Sequence, residues 1–273
     1  MDKPPQHREP PGQLGPPAES CQYCGAPLNP AYYFCLACAT PYKHIDSVLP
    51  RLRSAPLTDA ELIAKKAPHV APLFWTYVAV VVGSTIVRHL LFQEERPGLG
   101  LLIQSFAIFV TTCIFGSIHW RCLAVQLRRA GLFHPAAWLG LLALAPLLLG
   151  NYFYHSWILR LTDVDFRRLG ELREYGLSEP TLIFCLCVLP AIVEETAFRG
   201  LIQHWLQVAL SPFRALVLAS ALFTMLHFTV ISAPYLFLVG MVLGWTKWKT
   251  QSLYPSMLIH FIHNLVVLEF FAL

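Results

Sequence analysis

Long apolar runs fill the chain after about residue 70. The first three are each close to the ~20 residues that a helix needs to cross the hydrocarbon core of a bilayer. Only 13% of the residues are charged, about half of the ~25% that is typical of soluble domains. Lipid must therefore be the solvent of most of this chain. We predict an all-α, polytopic transmembrane helical bundle with seven spans, eight being possible, at about 72–92, 99–119, 136–158, 181–207, 213–230, 234–246 and 254–272.

The first 20 residues are rich in proline, with six prolines in three Pro-Pro pairs. They offer too little apolar surface to offset the entropy of ordering, so we expect residues 1–20 to be a disordered tail. The tail has neither an apolar stretch nor a small-residue cleavage site, and so it does not read as a signal peptide. Residues 41–70 are predicted to be a basic juxtamembrane linker that leads into a transmembrane domain at 71–273.

Two CxxC pairs separated by ten residues follow the tail; the four cysteines are Cys21, Cys24, Cys35 and Cys38. Gly25 follows the first pair, as in a tight knuckle that turns backbone amides toward sulfur. Four thiolates at tetrahedral reach are what a structural zinc site needs. We therefore predict a zinc ribbon at 21–40 that holds a structural zinc ion. The alternatives are two disulfides or four unrelated thiols.

Basic residues in the short loops predict how the bundle is oriented, since positive residues are retained on the cytoplasmic side. Three groups fall on one side of a seven-span topology: Lys65 and Lys66, then Arg121, Arg128 and Arg129, then Lys247 and Lys249. We expect an integral, multi-pass protein of the plasma (inner) membrane with a cytoplasmic N-terminus. That compartment is reducing, which would keep the four thiolates free to bind metal.

The remaining charged residues give two further predictions. Residues 160–178 carry balanced acidic and basic side chains, and so we expect an interfacial amphipathic helix or a structured loop there. The formal net charge of +4 is modest, and the basic residues lie where membrane orientation would place them. No nucleic-acid partner is therefore expected.

Ionisable side chains lie deep inside the fourth predicted span, within the sequence EETAFRG. Insertion scales assign a cost of about 2.5–3.5 kcal/mol to such a side chain at the centre of a membrane helix. Glu195 and Arg199 are four residues apart, so they share a helix face and can pair. Glu194 is rotated from Glu195 by roughly 100 degrees and can point elsewhere. A carboxylate that is free to point away from its pair, as that of Glu194 is, suits water activation. The alternative is that both glutamates only hold helices together.

Polar motifs also occur in two later spans. In FTMLH, Phe223 and His227 are one turn apart and project to the same face. In HFIHN, His260 and Asn264 share a face, with His263 beside them. A histidine and an amide on one face can donate hydrogen bonds to a developing oxyanion. Each motif alone is also compatible with ordinary hydrogen-bonded packing, but their occurrence together on three spans favours a catalytic site.

The order EExxxR, FxxxH and HxxxN resembles the signature of the CPBP family, the CAAX-protease and bacteriocin-processing intramembrane endopeptidases, also called the ABI family. The resemblance covers roughly residues 180–273. It implies a helical membrane bundle with a polar cavity and a peptidase with a glutamate-type mechanism. It also implies roles for six residues: water activation by Glu194 and His227, oxyanion stabilisation by His260 and Asn264, and orientation of the base by Arg199 and Glu195.

The resemblance implies a protein or peptide substrate: a prenylated tail, a leader peptide or a C-terminal sorting tag. The zinc ribbon is not part of the family's core and is therefore an appended module, which can recruit a partner or cap the N-terminal region. His227, His260 and Glu194 could also form a three-ligand catalytic zinc site. Because the chain contains no HExxH, we favour direct glutamate activation. A non-catalytic membrane scaffold and a proton-coupled transporter of small solutes are the competing functions.

Overall fold

A computed structural model describes residues 20–21, 23–28, 35, 37–38, 40, 58–92, 97–162 and 177–270. The predicted disordered tail, most of the predicted linker and the predicted interfacial segment after residue 162 lie outside these described residues. The chain divides into two compact units, Met1–Ser54 and Ala55–Leu273. The first contains the four clustered cysteines, and the second contains the helices.

The described part of the second unit contains nine helices and no β-strand, so the predicted all-α bundle is confirmed. The helices are α1 (Asp59–Lys66), α2 (Val70–Phe92), α3 (Pro97–Ile118), α4 (Trp120–Leu127), α5 (Pro135–Thr162), α6 (Glu179–Ala209), α7 (Pro212–Met225), α8 (Ala233–Thr250) and α9 (Tyr254–Phe270).

Seven of these helices correspond to the seven predicted apolar runs. Among the described residues, α2, α3, α5 and α6 are long and apolar enough to cross a membrane. The other three are shorter, with 14 residues in α7, 18 in α8 and 17 in α9. The chain therefore has several membrane-capable helices, while the count of seven spans stays a prediction.

Helix α1 lies inside the segment that was expected to be a linker. Its N-terminus has a capping box, in which the Thr58 hydroxyl accepts from the Glu61 N–H and the Glu61 carboxylate accepts from the Thr58 N–H. The Thr58 hydroxyl also donates its own proton to the Glu61 carboxylate, and the two hydrogen bonds that Thr58 donates hold the pKa of Glu61 below its ordinary value. Leu62 and Ile63 pack against the main apolar core. The end of the predicted linker is therefore an ordered amphipathic helix.

Helix α6 is not a regular α-helix. It widens into π-helix at Phe184–Val188 and again at Glu195–Ile202. Pro190 accounts for the first widening, because proline has no N–H to give to the carbonyl four residues earlier and its ring crowds that carbonyl. That carbonyl belongs to Leu186. Short π-helical turns of this kind are frequent at functional sites.

The best-buried part of the bundle surrounds the second half of α6. Ala197, Leu201, Ile202 and Leu206 are all 0% exposed. Helices α2, α3 and α5 instead carry exposed large apolar side chains, which include Phe106 and Trp157. This arrangement fits a bundle in which α6 is central and the outer helices face lipid.

The loops with basic residues lie near one another. The rings of His69, before α2, and His119, after α3, are 5.0 Å apart. Ser252, after α8, donates its hydroxyl to the backbone carbonyls of Arg129 and Ala130, before α5. These contacts bring the loops before α2, after α3, before α5 and after α8 close to one another in pairs, while the orientation in the membrane stays a prediction.

Two residues used for that prediction, Lys247 and Lys249, lie within α8. Lys247 was expected in a loop, but α8 continues to Thr250 and the Lys247 side chain is 0% exposed. Neither proline nor glycine interrupts residues 247–250. The helix ends only where Gln251 adopts a left-handed conformation with φ 54°. Lys247 is therefore a core residue and gives no information on orientation.

Close helix packing at Gly244 gives a stability prediction. A Cβ at Gly244 would lie 2.5 Å from Leu216 Cδ1 and 2.8 Å from Gln203 Oε1. Gln203 donates to the Gly244 carbonyl at 2.9 Å and is therefore held in place. We expect Gly244→Ala to lower the free energy of unfolding by about 1–3 kcal/mol through overpacking, measured as a lower thermal midpoint of the purified protein in detergent.

Gly83→Ala in α2 is the matched control. A Cβ at Gly83 meets nothing within 4 Å, and alanine favours helix over glycine by about 1 kcal/mol. We expect this variant to match or exceed the wild type. Equal thermal midpoints for both variants would contradict the packing described for α6, α7 and α8.

Candidate active site and candidate metal site

The four N-terminal cysteines form a compact cluster. Their sulfur atoms all lie within 4.8 Å of one another, and none of these cysteines is in a disulfide. The Cys21 and Cys38 sulfurs are 3.8 Å apart, and those of Cys24 and Cys35 are 3.4 Å apart. The four thiols are therefore close enough to bind a single metal ion.

Backbone turns hold each cysteine pair in place. The Gly25 N–H donates to the Cys21 carbonyl, and the Cys21 N–H donates to the Ala26 carbonyl, both at 2.8 Å. Gly25 has φ 71°, a left-handed conformation that favours glycine. The Cys35 N–H similarly donates to the Thr40 carbonyl at 2.8 Å. These turns produce the knuckles that the spacing and Gly25 predict.

The sulfur geometry fits zinc. Four Zn–S bonds of about 2.3 Å in a tetrahedron give sulfur–sulfur distances of about 3.8 Å. Burial raises the pKa of the Cys38 thiol, so a nearby cation is needed to keep this sulfur as a thiolate at neutral pH. The donor set and its spacing are those of a zinc ribbon.

A buried carboxylate lies at the centre of the second polar site. Glu195 of α6 is 0% exposed, and its Oε1 accepts a hydrogen bond from Arg199 Nη1 at 2.8 Å. The same oxygen lies 2.9 Å from His260 Nδ1 of α9. The predicted pair between Glu195 and Arg199 is therefore formed, and a histidine from another helix joins it.

Arg199 is held on three sides. Besides Glu195, it donates through Nη2 to the Gly240 carbonyl of α8 at 3.3 Å. Its guanidinium also lies over the ring of Phe223 in α7, with 4.3 Å from Cζ to the ring centroid. Arg199 therefore links α6 to α7 and α8, and a cation over an aromatic face adds attraction to that link.

His260 connects the two glutamates. Glu195 is paired with Arg199 and accepts, so Nδ1 of His260 must be the donor in their hydrogen bond. The other nitrogen, Nε2, lies 3.9 Å from Glu194 Oε2. In the neutral ring this nitrogen is an acceptor, and it donates only in the imidazolium form. The side chain of Glu194 is 24% exposed, in contrast to that of Glu195.

His227 lies just beyond the end of its helix. The predicted fifth span reached residue 230, but α7 ends at Met225 and Phe228 has φ 49°. The His227 N–H bonds to the Thr224 carbonyl, so the Phe223 carbonyl is left for the His227 ring, whose Nδ1 lies 2.9 Å away. With Nδ1 donating, Nε2 of His227 is left as an acceptor.

The Phe223 ring lies between the two histidines, 4.7 Å from the His227 ring and 6.0 Å from the His260 ring. No hydrogen bond or ion pair joins His227 to Glu194 within the described part of the chain. The connection between His227 and the glutamates is therefore indirect, through the Phe223 ring, which packs against the rings of His227 and His260. The motif FTMLH predicts this ring contact, although not the helix end that produces it.

The described hydrogen bonds of Asn264 are to Leu186 and His263, and not to the glutamates or His260. Its Nδ2 donates to the Leu186 carbonyl of α6 at 3.0 Å, and its Oδ1 lies 2.8 Å from His263 Nδ1. The His263 ring in turn contacts Tyr235 of α8. Motif reading missed both Leu186 and Tyr235, since neither belongs to a recognisable pattern; Pro190 was the available signal for a free Leu186 carbonyl.

Comparison with models of protein families gives a match to the C-terminal third of the chain. Residues 176–266 match the family model described as Type II CAAX prenyl endopeptidase Rce1-like. The match covers about a third of the chain and includes Glu194, Glu195, Arg199, His227, His260 and Asn264. No curated protein and no solved structure matches the chain significantly.

The buried ion pair gives a second stability prediction. Removal of one partner leaves an uncompensated buried charge, which costs about 3–5 kcal/mol. We expect Arg199→Met to lower the free energy of unfolding by that order, and Glu195→Gln in the same chain to recover part of the loss. Thermal midpoints of both single variants and the double variant measure this coupling. A double variant whose loss equals the sum of the single losses would show that the pair is not coupled.

Proposed function

We propose that this membrane protein is an intramembrane endopeptidase with a glutamate-activated water, because residues 176–266 match the Rce1-like CAAX prenyl endopeptidase model. It hydrolyses a peptide bond near the C-terminus, or in a membrane-proximal segment, of a protein substrate. The observation that carries the proposal is the position of His260, 2.9 Å from Glu195 and 3.9 Å from Glu194. One imidazole thus lies between a buried, paired carboxylate and a more accessible one.

Glu194 is the base in this mechanism. It takes a proton from water, and the water oxygen attacks the carbonyl carbon of the scissile peptide bond. The acceptor nitrogen of His227 orients the same water. When the tetrahedral intermediate collapses, the carbon–nitrogen bond breaks and Glu194 returns the proton to the leaving amine. The residue roles are those that the family resemblance implies.

His260 and Asn264 stabilise the oxyanion. Asn264 donates an amide N–H, and His260 donates through Nε2 in its imidazolium form. Glu195 holds Nδ1 of His260 and thereby the ring plane, while Arg199 holds Glu195. This makes Glu195 and Arg199 positioning residues in the proposal, which agrees with their complete burial.

A groove beside α6 supports access from the membrane. Ile192, Val193 and Thr196, which flank Glu194 in sequence, form one wall of an apolar groove of about 490 Å³. Helices α3 and α4 form the opposite wall. A lipid-embedded segment of the substrate can lie there and approach Glu194 from the side. The prenyl group of a prenylated tail has the apolar character that such a groove favours, and leader peptides and C-terminal sorting tags are the other proposed substrate classes.

The N-terminal cluster is proposed to hold structural zinc, because the sulfur spacing is close to that of a zinc tetrathiolate. The module can recruit a substrate or partner, or cap the N-terminal region. We also propose that the N-terminus is cytoplasmic and that the protein resides in the plasma (inner) membrane, on the basis of the clustered basic loops.

Glu194→Gln tests the mechanism. Gln keeps the size of the side chain but cannot accept the proton from water. In lipid nanodiscs with a panel of C-terminal tail peptides, we expect kcat to fall by about 100-fold or more, measured by mass spectrometry of the cleaved peptides. Glu179→Gln is the matched control, since it makes the same change in the first turn of α6 and outside the site.

Full turnover by Glu194→Gln would end the proposal that Glu194 is the base. The scaffold alternative predicts a different result, in which Glu194→Ala impairs folding and wild-type protein cuts no peptide. The transporter alternative likewise predicts no cut peptide, together with proton-coupled solute uptake into proteoliposomes.

Metal analysis separates the two uses of zinc. We expect about one zinc ion per chain in purified protein, and none after Cys21, Cys24, Cys35 and Cys38 are all changed to Ser. That variant should still cleave peptide, and excess chelator should not stop it. A variant that retains zinc, and whose cleavage is lost on chelation and restored by added zinc, would instead show that Glu194, His227 and His260 bind a catalytic ion. Cys185→Ser, in α6, is the control for loss of a buried thiol.

A further inference from the structure

A partly buried chain of hydrogen bonds connects three helices beside the proposed site, and two of its three side chains have no role in the mechanism above. Tyr235 Oη of α8 lies 2.5 Å from His263 Nε2 of α9. His263 Nδ1 lies 2.8 Å from Asn264 Oδ1, and Asn264 Nδ2 lies 3.0 Å from the Leu186 carbonyl oxygen of α6. His263 is 6% exposed, so its ring nitrogens depend on these partners.

The Leu186 carbonyl determines which group donates and which accepts in each of these three hydrogen bonds. The Leu186 carbonyl can only accept, so Nδ2 of Asn264 donates. Oδ1 of Asn264 must then accept from the N–H at His263 Nδ1. With the proton of a neutral ring on Nδ1, Nε2 is an acceptor and the Tyr235 hydroxyl donates to it. The donor and the acceptor of each hydrogen bond are therefore fixed.

The sequence explains why the Leu186 carbonyl oxygen can accept a hydrogen bond from Asn264. Pro190, four residues later, has no N–H for that carbonyl, and α6 is π-helical at Phe184–Val188. The Asn264 amide satisfies the carbonyl instead. A rotated amide would place two oxygens together at Leu186 and two N–H groups together at His263. The orientation of the Asn264 side chain is thus held from both ends.

We propose that Tyr235 and His263 are positioning residues of the peptidase reaction. They hold the Asn264 amide so that one N–H of Nδ2 is used by Leu186 and the second N–H is presented to the oxyanion. This inference rests on the proposed function, because the oxyanion exists only if the chain hydrolyses a peptide. Tyr235 acts at the far end of the hydrogen-bond chain, through His263.

Loss of the Tyr235 hydroxyl changes the chemistry of Asn264 at a distance. Without that donor, Nε2 of His263 can take the ring proton, and Nδ1 then becomes an acceptor that no longer suits Oδ1. The amide can now rotate, and the donor that the transition state needs is presented less often. Because this interaction forms only with the oxyanion, the change lowers kcat and leaves KM alone.

The test compares Tyr235→Phe with Tyr154→Phe in nanodiscs, using the peptide that wild-type protein cleaves best. Tyr154 donates to the Ile231 carbonyl at 2.9 Å, so both variants lose one tyrosine hydrogen bond, but only Tyr235 is linked to Asn264. We expect kcat of Tyr235→Phe to fall about tenfold, with KM unchanged. Tyr154→Phe should keep the kcat of wild type.

Two changes at His263 separate positioning from simple packing. His263→Gln supplies both a donor and an acceptor and should retain most of the wild-type kcat. His263→Leu supplies neither and should lose at least as much as Tyr235→Phe. A role in packing alone predicts the reverse order, since leucine suits an apolar interior better than an amide does.

The outcomes decide between the two proposals. Wild-type kcat in Tyr235→Phe, a change in KM alone, or a kcat for His263→Leu that matches His263→Gln would overturn the positioning role while the peptidase itself stands. If wild-type protein cleaves no peptide, the proposed function fails and the positioning role fails with it.

Discussion

The Glu195 carboxylate is the group on which the proposed site depends. It is fully buried, and one of its oxygens accepts from both Arg199 and His260. A charge in that environment is tolerated only when it is paired and hydrogen-bonded. The requirement joins α6 to α9 directly and to α7 and α8 through Arg199. It also distinguishes the two adjacent glutamates, because Glu195 pairs with Arg199 at 2.8 Å, whereas Glu194 is more exposed and its contact with His260 is 3.9 Å.

Departures from regular helix geometry place the other polar groups. Pro190 leaves the Leu186 carbonyl for Asn264, and the early end of α7 leaves the Phe223 carbonyl for the His227 ring. In both cases a backbone acceptor that a regular helix would satisfy is satisfied by a side chain of the site. The Phe223 carbonyl determines which nitrogen of the His227 ring donates, and the Leu186 carbonyl determines which way the Asn264 amide is turned. The chemistry proposed for His227 and Asn264 therefore depends on where the helices are irregular.

Sequence reasoning predicted the features that depend on spacing along one helix or one loop. The Glu195–Arg199 pair, the Phe223–His227 contact, the cysteine cluster and the positions of the apolar helices are all of this kind. It did not predict the π-helical turns of α6, the burial of Lys247 or the contact between Tyr235 and His263. Regular α-helical spacing was assumed throughout, and Lys247 was read as a loop residue from its charge alone. Contacts between different helices, such as that of Tyr235, have no signature in a single sequence.

The most direct test of the account is hydrolysis itself, followed in water enriched in the heavy oxygen isotope. Wild-type protein in nanodiscs is mixed in excess with a C-terminal tail peptide, and the products are weighed by mass spectrometry after a single turnover. The account predicts that the peptide is cut and that the new carboxyl terminus carries one heavy oxygen atom, delivered by the activated water. An intact peptide, across tails of every proposed substrate class, would contradict it.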